Sequence, residues 1–145
     1  MKIKLFGVIA ALCAVSAQAE VKNAEFNGGV GGWVACIQKV VTVTGPVSLQ
    51  VQTVEGPNGT MVSIHGRFKM EGTDNASNQY KSSFQTNANF DAKSNTYVVP
   101  YSSVFIGQGG APNFKMDGDL KIFVDASGTP LGGTIVSGNI TCQGN

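Results

Sequence analysis

Few residues in this sequence of 145 are able to do chemistry, and His65 is the only histidine. It sits in an alternating run. Val62, Ile64, Gly66, Phe68 and Met70 take one face of a strand pattern, and Ser63, His65, Arg67 and Lys69 take the other. A general base needs a tuned environment and a partner that orients it. A histidine on the polar face of a strand has neither, so replacing His65 is expected to leave the fold and any binding activity largely intact. No serine lies in a Gly-x-Ser-x-Gly elbow.

Metal and phosphate chemistry fare no better. Asp117-Gly118-Asp119 has the opening spacing of a calcium loop, but the remaining ligands of such a loop are missing. Strand alternation puts both aspartates on one face between Lys115 and Lys121, an ordinary ladder of exposed charge. The glycine clusters at 28–32 and 107–110 lack the Gly-Lys-Ser/Thr ending of a phosphate loop and do not join a strand to a helix. They read as flexible loops. Two carboxylates suffice for glycoside hydrolysis, but the nine acidic residues fall mostly in charge ladders and turns. No catalytic, cofactor-binding or metal-binding residue is assigned, and the reading leans away from an enzyme.

Aromatic side chains offer more. Tyr97, Tyr101 and Phe105 share a strand face, and Trp33 follows the first glycine cluster. Exposed rings stack on sugars or anchor a protein partner; the competing reading is that they fill the core. Trp33, Tyr97 and Tyr101 are the candidate binding residues.

The elements that must position these groups are strands, since helical periodicity is sustained nowhere. Val34–Thr44 is rich in Val, Ile and Thr and is stopped by Gly45-Pro46; Val47, Leu49 and Val51 then alternate with polar residues. Pro57-Asn58-Gly59 predicts a hairpin turn. After Val62–Met70, residues 71–79 read as a polar loop, and Phe84, Thr86, Ala88 and Phe90 share one face of the next strand. Asp91–Asn95 reads as a turn. Pro100 interrupts the strand Tyr97–Ile106, which suggests an edge or a bulge. Phe114–Val124 and Thr134–Cys142 complete the set. Connections this short leave no room for crossover helices, so the sheet is antiparallel. The expected fold is all-β, an antiparallel sandwich or a small closed barrel of about eight strands.

The N-terminus predicts export. Lys2 and Lys4 precede the apolar run Leu5–Val15, and Ala17-Gln18-Ala19 supplies a small-x-small cleavage site. Residues 1–19 are read as a signal peptide, and residues 20–145 as a single exported domain, secreted or periplasmic. The apolar run is shorter than the ~20 residues of a membrane span. Cys13 lacks a lipoprotein pattern around it and leaves with the signal. Cys36 and Cys142 remain, and an even pair in an oxidising compartment predicts a disulfide.

Without Lys2 and Lys4, the ten basic residues become eight against nine acidic, a net charge near −1 with no basic run. That excludes the usual footprint of a nucleic-acid binder. An outer-membrane barrel would show aromatic girdles, which are not visible here. Three readings follow. The first is an exported non-catalytic module, binding or structural, with a protein or glycan partner, such as an inhibitor or an envelope component. The second is a carrier barrel for a small ligand, and the third a secreted hydrolase. A deep apolar cavity favours the carrier, a patterned outer face over a filled core the binder, and a cleft with convergent carboxylates the enzyme.

Overall fold

The computed structural model describes residues 17–143. The predicted signal peptide lies outside the described residues except for Ala17, Gln18 and Ala19. Seven strands follow one another: β1 (Gln18–Val34), β2 (Lys39–Gly56), β3 (Gly59–Asp74), β4 (Gln79–Phe90), β5 (Thr96–Gly107), β6 (Phe114–Val124) and β7 (Pro130–Cys142). Each pairs antiparallel with its chain neighbour, and the order in the sheet is the order in the chain. The described residues contain no helix. The single sheet curls into a half-barrel, where the sequence suggested a sandwich or a closed barrel of about eight strands.

Two segments differ from the sequence reading. Residues 27–32, expected as a flexible opening, lie within β1. Three of their four glycines pair with β-branched neighbours, Gly29 with Thr44, Gly31 with Thr42 and Gly32 with Val41, so β2 supplies the strand preference that β1 lacks. Gly45-Pro46, expected as a stop, lies inside β2, and the register of β2 with β3 is the same on both sides of it. A Cβ on Gly45 would stand 1.8 Å from the carbonyl oxygen of Lys69. Glycine is there because two backbones approach closely, not to end a strand.

Period-two alternation decides which face is buried. Val62, Ile64, Phe68 and Met70 are buried while His65, Arg67 and Lys69 are exposed. The β2–β3 hairpin turns at Pro57-Asn58, with Gly59 at positive φ (115°) closing it against Gly56. The predicted polar loop shrinks to a short turn, because β3 continues to Asp74 and β4 begins at Gln79.

A crease divides the sheet between β4 and β5. Their backbones pair only at Tyr80–Gly107 and Lys81–Ile106. Pro100 has no N–H to offer β4, and beyond the crease side chains take over. Thr86 donates its hydroxyl to the Pro100 carbonyl (2.5 Å), and Ser82 and Ser103 share a hydrogen bond in the core (2.5 Å). Ring contacts add to these, Phe84 with Tyr101 (centroids 5.9 Å apart) and Phe90 with Tyr97 (4.8 Å). The crease lets β5–β7 fold over towards β1–β4 and enclose a core.

The curl brings β7 beside β1 without backbone pairing between them. Cys36, in the β1–β2 turn, forms a disulfide with Cys142 at the end of β7, with Cα atoms 5.7 Å apart. It ties the two open edges of the sheet at one end.

The β3–β4 turn is organised by a buried carboxylate. Asp74 accepts hydrogen bonds from the backbone N–H of Ala76 (2.8 Å) and Asn78 (2.9 Å), from Asn78 Nδ2 (2.8 Å) and from the Tyr80 hydroxyl (3.4 Å). Burial pushes its carboxyl up, but the hydrogen bonds from Asn78, Ala76 and Tyr80 together outweigh burial and hold it below the ordinary aspartate value. A depressed value in the fold means stability that is present above the unfolded pKa of about 3.9 and lost as pH falls through the folded value. The melting temperature is expected to drop on acidification below about pH 4, and to drop less steeply in Asp74→Asn. Thermal melts of both proteins across acid pH check this; equal slopes would contradict it.

Candidate binding site

All seven strands contribute to one groove, the interior of the half-barrel, with a volume of about 380 Å³. Its mouth lies along the seam between β1 and β7. Phe26 and Val30 of β1 form one lip and Ile135 of β7 the other, all half-buried. Leu49, Phe84 and Tyr101 are among the residues lining the inside. Volumes of roughly 300–1,000 Å³ with apolar walls and a few polar groups are typical of small-molecule sites.

The groove traces back to glycines on the inward face of β1. Phe26, Gly28, Val30, Gly32 and Val34 alternate inward, so every second inward position from Gly28 lacks a side chain. A Cβ on Gly32 would meet nothing within 4 Å, and one on Gly28 would press on Val47 Cγ2 at 2.9 Å. β7 contributes little bulk either: a register shift opposite Asp119/Leu120 separates its inward residues Ile135 and Ile140. The walls from the other strands are large and tightly set. Phe68 stacks on Phe84 (4.4 Å between centroids), and Phe105 on Phe114 (4.8 Å). Met70 and Met116 line the same space, and their unbranched side chains adapt to irregular ligand shapes.

Tyr101 is the polar side chain on the groove's inner wall, and Thr134 lies exposed at the rim. The Tyr101 hydroxyl donates a long hydrogen bond to the Ser137 carbonyl (3.4 Å). Burial, followed by the nearby Asp117 and Asp119 carboxylates, pushes the phenol up, so it remains a neutral donor at physiological pH. Asp117 itself is held low, first by the Ser102 hydroxyl and then by Lys115, which pairs with it at 3.0 Å. Asp119 accepts from Ser137 (3.0 Å). Both aspartates thus stand in a row of half-buried strand charges.

The three candidate aromatics do not converge. Tyr101 is buried at the groove wall. Tyr97 is buried at the other end of β5, where it packs on Phe90 and its hydroxyl accepts the Ser94 N–H (2.8 Å). Trp33 is 58% exposed on the outer face, opposite Val40. Phe26, Val30 and Ile135 were missed as site residues, because isolated apolar residues among glycines carry no signal until the strand register places them on one rim.

His65 lies on the outer face with its Nδ1 against Asn87 Oδ1 (2.6 Å). No carboxylate among the described residues is hydrogen-bonded to it. Among the described residues, no group of three His, Cys, Asp or Glu side chains is placed to hold a metal ion. No helix is long and apolar enough to cross a membrane among the described residues. Compared with protein-family models, with curated proteins and with solved structures, the chain matches none.

Proposed function

We propose that this chain is an exported, non-catalytic binding protein that takes an elongated apolar ligand into the half-barrel. The groove carries the reading: about 380 Å³ of space with largely apolar walls, entered along a seam that none of the described strands closes. Of the sequence-based readings, the carrier gains most from this geometry, since a deep apolar cavity was its distinguishing feature. The ligand would occupy the place that barrel closure would otherwise fill, and its apolar body would be withdrawn from water at about 25 cal/mol per Å². The Tyr101 hydroxyl gives such a ligand's polar end a hydrogen-bonding partner inside the groove.

The outer face of β1–β4 supports a protein surrounded by water. Asn23, Gln50, His65 and Asn87 form one row across the four strands, and Glu25, Ser48, Arg67 and Gln85 the next. A membrane barrel carries an outward apolar band instead. Export rests on the N-terminal pattern Lys2, Lys4 and Ala17-Gln18-Ala19. Cleavage after Ala19 would trim only the exposed tip of β1, where Gln18 and Ala19 pair with Glu55 and Val54.

Titration with an environment-sensitive apolar fluorophore, followed by competition with long-chain fatty acids, tests the function. Saturable enhancement displaced by the acyl chain is the expected result. Absence of saturable binding by any apolar probe would end the carrier reading.

A further inference from the structure

The opposite side of the same sheet has a second pattern, separate from the groove. Along β3 the outward residues run Met61, Ser63, His65, Arg67, Lys69 and Glu71, and the stretch from Ser63 to Lys69 is the basic line. β3 lies inside the sheet, so this line runs down the middle of the β1–β4 face. The strands on either side present neutral hydrogen-bonding groups. Gln52, Gln50 and Ser48 flank it on β2, and Asn89, Asn87, Gln85 and Ser83 on β4.

Arg67 and Lys69 are both exposed, and neither has an ion-pair partner among the described residues. The acidic residues nearby do not neutralise them. Glu25 lies in the row of Arg67 but two strands away, about 10 Å at ordinary strand spacing. Glu71 pairs with Lys81. The two cations stand two residues apart on one strand, about 7 Å.

The face is also shaped and ordered. A depression of about 270 Å³ lies around His65 and Arg67, walled by Gln50, Gln85 and Asn87 and floored by Gly66. Cross-strand hydrogen bonds hold its rim, Gln50 to Asn23 (3.0 Å), Ser63 to Asn89 (2.7 Å) and His65 with Asn87 (2.6 Å). Side chains already fixed lose less freedom when a ligand arrives.

We infer that this face binds an acidic polysaccharide laid along β3. The Arg67 guanidinium forks a carboxylate or sulfate through two parallel hydrogen bonds. Lys69 meets the next acidic group as a point charge. The amides and hydroxyls on both sides donate to and accept from sugar hydroxyls, a pairing open to Asn, Gln and Ser side chains alike. A nucleic-acid strand fits less well. Single strands need large rings for base stacking, and the outward positions from Val21 to Asn27 on β1 and alongside them on β2–β4 carry no Phe, Tyr or Trp, with the His65 imidazole the one aromatic ring among them. Charge complementarity therefore selects an anionic chain, and the amide flanks select a hydroxylated one.

Surface-immobilised full chain is tested with polygalacturonate, heparin, neutral dextran and a single-stranded DNA oligomer. Polygalacturonate, heparin or both are expected to bind, weakening as salt is raised from about 0.05 to 0.5 M. The identity of the binder distinguishes carboxylate from sulfate; dextran and DNA are expected to bind at least about tenfold more weakly. Arg67→Ala with Lys69→Ala should cost about tenfold or more in affinity, with the melting temperature unchanged. Lys39→Ala with Lys121→Ala removes the same charge elsewhere and should leave binding intact. The inference is overturned if neither acidic polymer binds, if dextran or DNA binds as well, or if the two double variants weaken binding equally. Since the groove lies on the other face, apolar-probe binding is expected to be the same in all variants.

Discussion

Ile135→Trp is expected to weaken apolar-ligand binding by about tenfold or more while the protein remains folded. Ile135 forms the β7 lip of the groove and is half-buried there. An indole at that position extends across the mouth towards Phe26 and Val30 of β1. Because the space it enters is unfilled, overpacking is limited, and the stability cost should stay within the roughly 1–3 kcal/mol of a tolerated small-to-large change. Val136→Trp is the matched control. Val136 is the neighbouring residue, 51% exposed, so its indole meets solvent and binding should match the parent. Fluorophore titration and thermal melts on the three proteins decide the matter. A folded Ile135→Trp that binds like the parent would place the ligand elsewhere. Should Ile135→Trp fail to fold, Val30→Trp blocks the same mouth from the β1 side.

Removing the disulfide should have the largest effect on stability. The bond joins residues 106 apart. Closing a loop of that size restricts the unfolded chain by about 4–5 kcal/mol in the chain-entropy account. For a domain of this size, that corresponds to a fall in melting temperature on the order of 10–20 °C in the paired variant Cys36→Ser with Cys142→Ser. The structural consequence is local as well. β1 and β7 are unpaired edges, and the disulfide is the covalent tie that holds them side by side at one end of the seam. Exposed unpaired edges invite strand addition and aggregation. Along β7 and the second half of β1, from Phe26 to Val34, there is not one charged residue to discourage it. The variant is therefore expected to aggregate on heating where the parent melts reversibly. Calorimetry with rescans measures both effects, and a melting temperature within about 2 °C of the parent would contradict the account.

What the sequence showed depended on whether the signal was local. The faces of β3 and β4 were legible because Val62–Met70 and Phe84–Phe90 alternate without interruption, and alternation alone decides burial in a strand. The cysteine pairing was legible because only two cysteines, Cys36 and Cys142, follow Ala19. β1 was not legible. Its Asn27–Gly32 stretch has no pattern of its own and is a strand because β2 opposite it is rich in Val and Thr. Gly45 was misread for a related reason: a glycine that ends a strand and one that admits a neighbouring backbone look alike until the Lys69 carbonyl is seen beside it. Pro100 was read in the right sense, since β5 is unpaired with β4 at that point.

The groove was the least legible feature. It is a volume left between seven strands, and it exists because inward glycines on β1 face large rings on β3, β4 and β5 across the barrel. Tyr101 stands out in the sequence as an aromatic, but its place as a buried wall rather than an exposed platform depends on which way β5 turns its face. The outer basic line on β3 was present in the alternation. Its amide flanks became visible only with the registers of β2 and β4.

The most direct test of the central claim is residue-resolved. Backbone amide spectra of residues 20–145 are recorded by NMR while a twelve-carbon fatty acid is titrated in. The predicted result is a saturable set of shifts confined to the groove, at Phe26, Val30, Leu49, Tyr101 and Ile135, with His65, Arg67 and Lys69 unmoved. Shifts confined to the outer face, or no saturable shifts at all, would contradict it.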